Sequence, residues 1–167
     1  MLGAIAGDII GSVYEGKKQW LAARTADFQP LFCPKGRFTD DTVLSVAVAD
    51  ALLHGSDLTE LLKDYYSRYP GAGFGGDFKR WAASDNADPY GSWGNGSAMR
   101  VSPVAWAFDT LAEVLYQAKE SARVTHNHPT VPPNPTLQPT GPALDDSGVR
   151  VLSASPAAFG KGMDREA

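Results

Sequence analysis

Apolar residues recur every three or four positions along the first three quarters of the chain, which is the spacing of one helix face. Helices are therefore predicted over residues 2–15, 40–54, 58–69, 77–84, 97–109 and 110–124. Gly55 is a predicted C-cap, Ser56-Asp57 caps the next helix, and Pro103 is predicted to kink the helix 97–109. No segment alternates convincingly with a period of two. The pattern predicts an all-α protein.

The last quarter of the chain differs in composition from the rest. Seven of the 12 prolines lie from Pro129 onwards, and Phe159 is the only aromatic residue there. Such a segment buries too little apolar surface to offset the entropy lost on ordering. We therefore predict a folded region over residues 1–129 and a Pro-rich, disordered tail over residues 130–167.

Charge and cysteine content exclude several classes of protein. The chain has 15 Lys and Arg against 19 Asp and Glu, a formal net charge of -4, so nucleic acid is not expected as the primary partner. Cys33 is the only cysteine, which excludes an intrachain disulfide and a cysteine-based zinc site. No apolar run reaches the roughly 20 residues that span a bilayer, and residues 1–10, which lack a basic start and contain Asp8, are not expected to be a secretory signal. These features predict a cytoplasmic protein without a membrane partner.

The tetrad Thr39-Asp40-Asp41-Thr42 opens the second predicted helix and has two interpretations. Thr39 can cap the helix, and acidic residues in a first turn interact favourably with the helix dipole. Alternatively, the two carboxylates and the hydroxyl supply three hard oxygen ligands for one Mg²⁺ or similar ion. The tetrad alone does not decide between capping and metal binding.

A glycine-rich loop runs from Gly91 to Ser97 and leads towards Arg100. Its glycines let the backbone approach a ligand, Ser97 can cap the following helix, and free amides at a helix start suit a pyrophosphate, with Arg100 nearby. The loop matches neither the phosphate-loop nor the dinucleotide-binding consensus. An ordinary turn followed by a cap is the alternative.

Three further positions are candidates for function. Asp8 interrupts an apolar run with glycines at every fourth position, and a structural role is favoured for it because a buried charge needs a partner. Glu15 is either a solvated helix end or a carboxylate at a pocket rim. His126 can stack on a base or donate to a ligand, although an ordinary helix-end imidazole is the simpler interpretation, and a zinc site with His128 is disfavoured.

Four segments together, in this order, resemble the ADP-ribosylglycohydrolase family, also called the dinitrogenase reductase activating glycohydrolase or ARH-type family. The segments that carry the resemblance are Gly3 to Glu15, Phe38 to Thr42, Gly94 to Arg100, and Thr125 to Pro129. The resemblance covers about three quarters of the chain. It implies an orthogonal multi-helix domain around a dinuclear Mg²⁺ or Mn²⁺ centre that hydrolyses ADP-ribosyl bonds.

Site residues follow from the resemblance position by position. Thr39, Asp40 and Asp41 resemble metal ligands of the family, and Glu15 resembles its acidic entrance residue, so that Glu15, Asp40 and Asp41 are the catalytic candidates. The substrate-binding candidates are Gly94, Asn95, Gly96, Ser97 and His126. The implied substrate is an ADP-ribosylated protein, at arginine or serine, or an ADP-ribosylated small molecule.

One feature of the family has no counterpart in this chain. The family carries a late Asp-x-Asp-Thr segment that completes the metal pair. The only acidic cluster after Pro129 is Asp145-Asp146-Ser147, within the Pro-rich tail. We therefore interpret the chain as a C-terminally truncated, incomplete member, with weak metal binding, low stability and apolar surface free for self-association. A non-catalytic ADP-ribose-binding fragment and a helical scaffold without ligand are the competing hypotheses.

Overall fold

Helices make up nearly all the regular structure of residues 1–15 and 31–127, which are the part of the chain that the computed structural model describes. They are α1 (Leu2–Gly11), α2 (Asp40–His54), α3 (Leu58–Arg68), α4 (Gly76–Ala82), α5 (Gly96–Met99), α6 (Val104–Ala107) and α7 (Leu111–Arg123), with a 3-10 turn at Ser12–Tyr14 after α1. These residues contain no strand, which confirms the all-α prediction. The predicted tail, 130–167, lies outside the described residues.

Local capping explains where the central helices begin and end. The Thr39 side chain accepts a hydrogen bond from the Asp41 backbone at the start of α2, and Gly55 ends this helix in the left-handed region, at φ 65°. Asp57 caps α3 by accepting from the Glu60 backbone. Thr110 and Glu113 form a reciprocal capping box at the start of α7. The predicted bounds of α2 are confirmed because both of its caps are explicit in the sequence.

The prediction of one kinked helix over residues 97–109 was wrong. Two single-turn helices, α5 and α6, replace it, and Pro103 stands at the N-cap of α6 with φ -61°. Proline has no backbone donor and disfavours helical geometry at the residue before it, here Ser102. The chain therefore starts a new helix at Pro103 instead of bending the old one.

Helix α2 lies at the centre of the packing. Its residues Val43, Leu44 and Ala47 are buried against Leu62 of α3 and an aromatic group from the α3–α4 region. In that group Phe74 stacks on Phe78 with ring centroids 5.2 Å apart, and Tyr66 meets Phe74 edge-on at the same distance. A smaller cluster of Val48, Val104 and Val114 joins α2 to α6 and α7. The core thus holds both ends of α2 in fixed positions.

Helix α1 is attached differently, because none of its residues is buried. Ser12, directly after it, is buried and accepts a hydrogen bond from the Arg37 backbone at 3.0 Å. Gly36 lies so close that a Cβ atom there would stand 2.9 Å from the Ile9 carbonyl oxygen. Only glycine fits such an approach without a backbone shift.

Several large apolar side chains remain at the surface of the described residues. Leu53 is 80% exposed, and Trp106 and Tyr116 are also well exposed. Self-association through such surface stays a prediction. No helix within residues 1–15 and 31–127 has the length and apolarity needed to cross a membrane.

Truncating a core leucine tests the packing of α2 on α3. Leu62 is fully buried, so Leu62→Ala should lower the free energy of unfolding by about 2–5 kcal/mol, through lost burial and the cavity left behind. Urea unfolding of the whole chain, followed by far-ultraviolet circular dichroism, measures this change. Leu53→Ala is the matched control and should change stability by less than about 0.5 kcal/mol. Equal losses in both variants would contradict the described core.

Candidate active site

The N-terminus of α2 is held by a carboxylate from α1. Asp8 Oδ2 accepts hydrogen bonds from the Thr39 backbone at 2.7 Å, from the Thr42 backbone at 3.3 Å and from the Thr42 hydroxyl at 2.5 Å. Its Oδ1 accepts from the Thr39 hydroxyl at 2.6 Å. Amides at a helix start lack partners within the helix, and a carboxylate there also meets the positive end of the dipole. Asp8 therefore has the structural role that its place in the sequence favoured.

The same arrangement brings three carboxylates together. Asp8, Glu15 and Asp41 each offer an oxygen, and these oxygens lie within 4.8 Å of one another. Glu15 comes directly after the 3-10 turn and is exposed, and Arg37 Nη2 lies 4.0 Å from its Oε2. Such spacing of hard oxygen donors fits a divalent cation.

Asp40 lies beside this group without belonging to it. Its backbone donates to the Ala72 carbonyl oxygen at 2.8 Å. Its Oδ1 stands 3.4 Å from the place that a Cβ would take on Gly73, whose φ of 105° itself requires glycine. The carboxylate is thus half-buried between α2 and the loop that precedes α4.

Burial and mutual repulsion raise the pKa values of Asp40, Asp41 and Glu15. Burial raises the pKa of Asp40 from 3.8 to about 6, and the charges of Asp41, Glu15 and Asp8 act in the same direction. Burial also raises the pKa of Asp41, with a further contribution from Asp8. For Glu15, burial raises the pKa while Arg37 opposes the change. The site holds more negative charge than its surroundings neutralise, which favours binding of a cation.

The glycine-rich loop is hydrogen-bonded to the backbone of Thr125. The Ser92 backbone donates to the Thr125 carbonyl oxygen at 2.9 Å, and the Gly94 backbone donates to the Ser92 hydroxyl at 3.2 Å. The capping role predicted for Ser97 was wrong, because α5 begins at Gly96 with Asn95 as its N-cap. Ser97 lies inside the first turn, where its side chain cannot cap.

His126 contacts this loop directly. Its Nε2 lies 2.9 Å from the Gly94 carbonyl oxygen and its Nδ1 lies 2.7 Å from the Thr125 hydroxyl. Burial lowers the pKa of His126, the bond to Gly94 opposes this, and the charge of Arg100 lowers it further. The structure therefore brings together the loop and the histidine that the sequence proposed as substrate-binding groups. His128 lies outside the described residues.

The sequence suggested that Arg100 lies beside a ligand at the loop, but the structure places its side chain in the interior of the protein. Its side chain is only 1% exposed and donates from Nη2 to the Ser121 carbonyl oxygen at 2.8 Å and to the Thr125 hydroxyl at 2.9 Å. Burial lowers the pKa of Arg100 to about 10, so the guanidinium is still cationic at neutral pH. Arg100 stabilises the base of the loop from inside the protein.

One hydrogen bond connects α5, which follows the loop, to α2. The Ser45 hydroxyl donates to the Met99 carbonyl oxygen at 3.4 Å, and Ser45 lies one helical turn after Asp41 on α2. Beside the loop, a groove of about 570 Å³ is lined in part by Arg80, Trp81, Tyr90 and Trp93. Gly91 and Trp93 thus belong both to the loop and to the lining of an aromatic groove.

Asp8 is the member of the acidic group that sequence reasoning assigned to structure alone. Its signal was present, as a charge within an apolar run that needs a partner. Residues 8 and 41 are 33 positions apart, however, and only the hydrogen bonds to Thr39 and Thr42 show that they meet. Thr39 is buried with its hydroxyl bonded to Asp8, 3.5 Å from Asp41 Oδ2, and its role as a metal ligand stays a prediction.

The raised pKa of Asp40 has a measurable consequence for stability without metal. Between 3.8 and about 6 the folded protein binds more protons than the unfolded chain, so stability should fall as pH rises through this window. Asp40→Asn should flatten this dependence and raise the melting temperature at neutral pH. Thermal unfolding in a chelator, followed by circular dichroism from about pH 4 to pH 7, measures both effects. The exposed Asp85→Asn makes the same charge change and should follow the wild type; identical curves for all three proteins would contradict the prediction.

Comparison with known proteins shows to which family the chain is similar. The model of the ADP-ribosylglycohydrolase family matches residues 1–131. The ADP-ribosylhydrolase ARH3 of Xenopus tropicalis is 28% identical over 151 residues, which cover 75% of this chain and 43% of that protein. The proteins of the same name from Mus musculus and Homo sapiens are each 28% identical over 156 residues and are covered to 42% and 43%. The chain therefore spans less than half the length of these curated relatives. Since the family model covers most of its residues, the chain belongs to the ADP-ribosylglycohydrolase family.

Proposed function

We propose that this chain supplies the nucleotide-sugar site and the first metal-ligand group of an ADP-ribosylglycohydrolase. The reaction is hydrolysis of the glycosidic bond between ADP-ribose and an acceptor, which is an arginine or serine side chain or a small molecule. The carrying observation is that carboxylate oxygens of Asp8, Glu15 and Asp41 lie within 4.8 Å in a chain of this family. The names of the relatives, which are ADP-ribosylhydrolases, support the same activity.

The donor set fits a divalent cation. Carboxylate and hydroxyl oxygens are the ligands that Mg²⁺ and Mn²⁺ prefer, and the excess negative charge around Asp41 favours a cation over water. Asp41, Asp8 and Glu15 would hold the ion, with Asp40 and Thr39 beside them. When bound, such an ion orients hydroxyl groups of the ribose and neutralises charge between the carboxylates.

The carboxylates also suit the reaction itself. Cleavage at the anomeric carbon builds positive charge on the ribose, in an oxocarbenium-like transition state, and nearby carboxylates stabilise that charge. Asp40, with a pKa of about 6, is suited to accept a proton from the attacking water at a carboxylate oxygen. Glu15, exposed at the edge of the group, is suited to contact the incoming substrate.

The loop accounts for binding of the ADP part. Backbone amides between Gly94 and Ser97 suit the diphosphate, and His126 beside Gly94 suits a polar group of the ribose or base. The groove with Trp93 and Tyr90 offers aromatic surface next to the loop. Binding these remote groups would hold the reacting carbon near the carboxylates.

Turnover is tested directly with ADP-ribosylated arginine and ADP-ribosylated serine peptides in the presence of Mg²⁺ or Mn²⁺. We expect released ADP-ribose, detected by liquid chromatography, and a loss of at least about 100-fold in Asp41→Asn because base and electrostatic catalysis depend on the acidic group. Asp85→Asn keeps the wild-type rate. Binding of ADP-ribose without release would favour the competing hypothesis of a non-catalytic ADP-ribose-binding module.

Metal binding is tested separately from turnover. A ligand at ten times its dissociation constant stabilises the folded state by about 1.4 kcal/mol. Millimolar Mg²⁺ or Mn²⁺ should therefore raise the melting temperature of the wild type by a few degrees at neutral pH, and should leave Asp41→Asn unchanged. Potassium chloride of equal ionic strength controls for screening of the carboxylates. An equal rise with potassium, or in Asp41→Asn, would remove the metal site from the proposal.

A further inference from the structure

Arg100 is a buried cation whose partners are all neutral. Among the described residues no carboxylate pairs with it, and its Nε has no hydrogen-bond partner. A buried charge without a counter-ion is costly to the fold. Its position is therefore best understood from the groups that its guanidinium holds, which are the Ser121 carbonyl oxygen and the Thr125 hydroxyl.

The chemistry of these groups sets the direction of a chain of hydrogen bonds. A guanidinium only donates, so the Thr125 hydroxyl oxygen must accept from Arg100 Nη2, at 2.9 Å. The single hydroxyl proton of Thr125 is then free to point at His126 Nδ1, 2.7 Å away. Nδ1 can accept this hydrogen bond only when it is itself unprotonated.

The hydrogen bond on the other side of the imidazole, at Nε2, independently requires the same arrangement. A carbonyl oxygen only accepts, so His126 Nε2 must carry a proton to bind the Gly94 oxygen at 2.9 Å. Nδ1 unprotonated and Nε2 protonated is one of the two neutral tautomers of imidazole. The hydrogen bonds to Thr125 and to Gly94 therefore both require this tautomer of His126.

The doubly protonated ring is disfavoured at this place. It would put a second cation beside Arg100, and both burial and the charge of Arg100 lower the pKa of His126. With a doubly protonated ring, the Thr125 hydroxyl oxygen would accept from both Arg100 and His126. Its own proton would then have no acceptor in either of these two side chains.

We propose that Arg100 is a positioning residue that acts through Thr125 to hold His126 as the neutral Nε2-protonated tautomer, and through it fixes Gly94 at the substrate loop. The binding role rests on the proposed function, since the loop and His126 are assigned to ADP-ribose there. The hydrogen-bonded relay from Arg100 through Thr125 and His126 to Gly94 does not rest on the proposed function, because it is defined by contacts within the protein.

Thr125 is the hub of this relay for a further reason. Its backbone oxygen accepts from Ser92 at 2.9 Å, so the residue holds the loop both by its main chain and, through His126, by its side chain. The imidazole also lies against Gly96, where a Cβ would stand 3.6 Å from Cε1. Loss of the Thr125 hydroxyl alone should free the ring at Nδ1 while the main-chain contact remains.

The first experiment observes the imidazole without ligand. The full chain has three histidines, so nitrogen-15 NMR of histidine-labelled protein is simple, and His126→Asn identifies the signal of interest. We expect the pattern of the Nε2-protonated tautomer at neutral pH, with Nδ1 shifted by an accepted hydrogen bond. Thr125→Ser should keep this shift, and Thr125→Val, which has nearly the same shape, should lose it. An Nδ1-protonated ring or an imidazolium in the wild type would overturn the relay, as would an Nδ1 shift that is unchanged in Thr125→Val.

The second experiment measures affinity for ADP-ribose by isothermal titration calorimetry. One net hydrogen bond corresponds to about a five- to tenfold change in affinity, so Thr125→Val should bind about five- to tenfold more weakly and Thr125→Ser within about twofold of the wild type. Circular dichroism confirms that each variant is folded. Equal affinity in all three proteins would overturn the positioning role. If the wild type itself does not bind ADP-ribose while the NMR pattern holds, the proposed function fails and the relay stands.

Discussion

The hydrogen bonds between Asp8 and the start of α2 are the constraint on which the acidic site depends. Helix α1 buries no residue, so its place is set by polar contacts and by the close approach at Gly36. Asp8 receives four hydrogen bonds from Thr39 and Thr42. Bonds to a charged group contribute about 1.5–3 kcal/mol each and are lost together when the carboxylate is removed. Together with the Ser12–Arg37 hydrogen bond and the close approach at Gly36, they bring Glu15 to Asp41.

Helix capping and metal binding are therefore not alternatives at this site. Thr39 is the N-cap of α2 and at the same time a buried donor to Asp8. The cap fixes the first turn, and the first turn places Asp41 against Asp8. A structural role explains the position of each group, and the remaining carboxylate oxygens are then available for chemistry.

Sequence reasoning predicted best where a signal is local. The bounds of α2 followed from Thr39 and Gly55, two residues whose capping geometry is explicit in their chemistry. The interruption before Pro103 was missed because apolar spacing continues across it, and only the backbone requirements of proline break the helix. The tetrad at residue 39 predicts oxygen ligands, and Asp41 lies in the acidic group, but its role as a ligand stays a prediction. Its meeting with Asp8 depends on tertiary contacts that no local pattern contains.

The same limit applies to His126 and the loop, 32 residues apart in the chain. The family resemblance grouped them, but the atoms that join them, Nε2 and the Gly94 oxygen, come from the fold. Arg100 is a sharper case, since its place after the loop suggested a ligand contact at the surface. A residue type does not reveal which side of a loop it supports, and burial against Ser121 and Thr125 settled this.

The electrostatics of the two regions complement one another in a way that suits the proposed substrate. Around Asp41, burial and unneutralised negative charge raise the pKa of three carboxylates. Behind the loop there is a buried positive charge at Arg100, and burial together with that charge lowers the pKa of His126. Each excess is unfavourable for the isolated fold and becomes favourable when an opposite charge binds. An ADP-ribosyl group provides both, since its diphosphate is anionic and its ribose becomes cationic as the glycosidic bond breaks. The Ser45–Met99 hydrogen bond joins α2, which carries Asp40 and Asp41, to α5, which follows the loop. This polarity supports assigning the diphosphate to the loop and the reacting carbon to the acidic group.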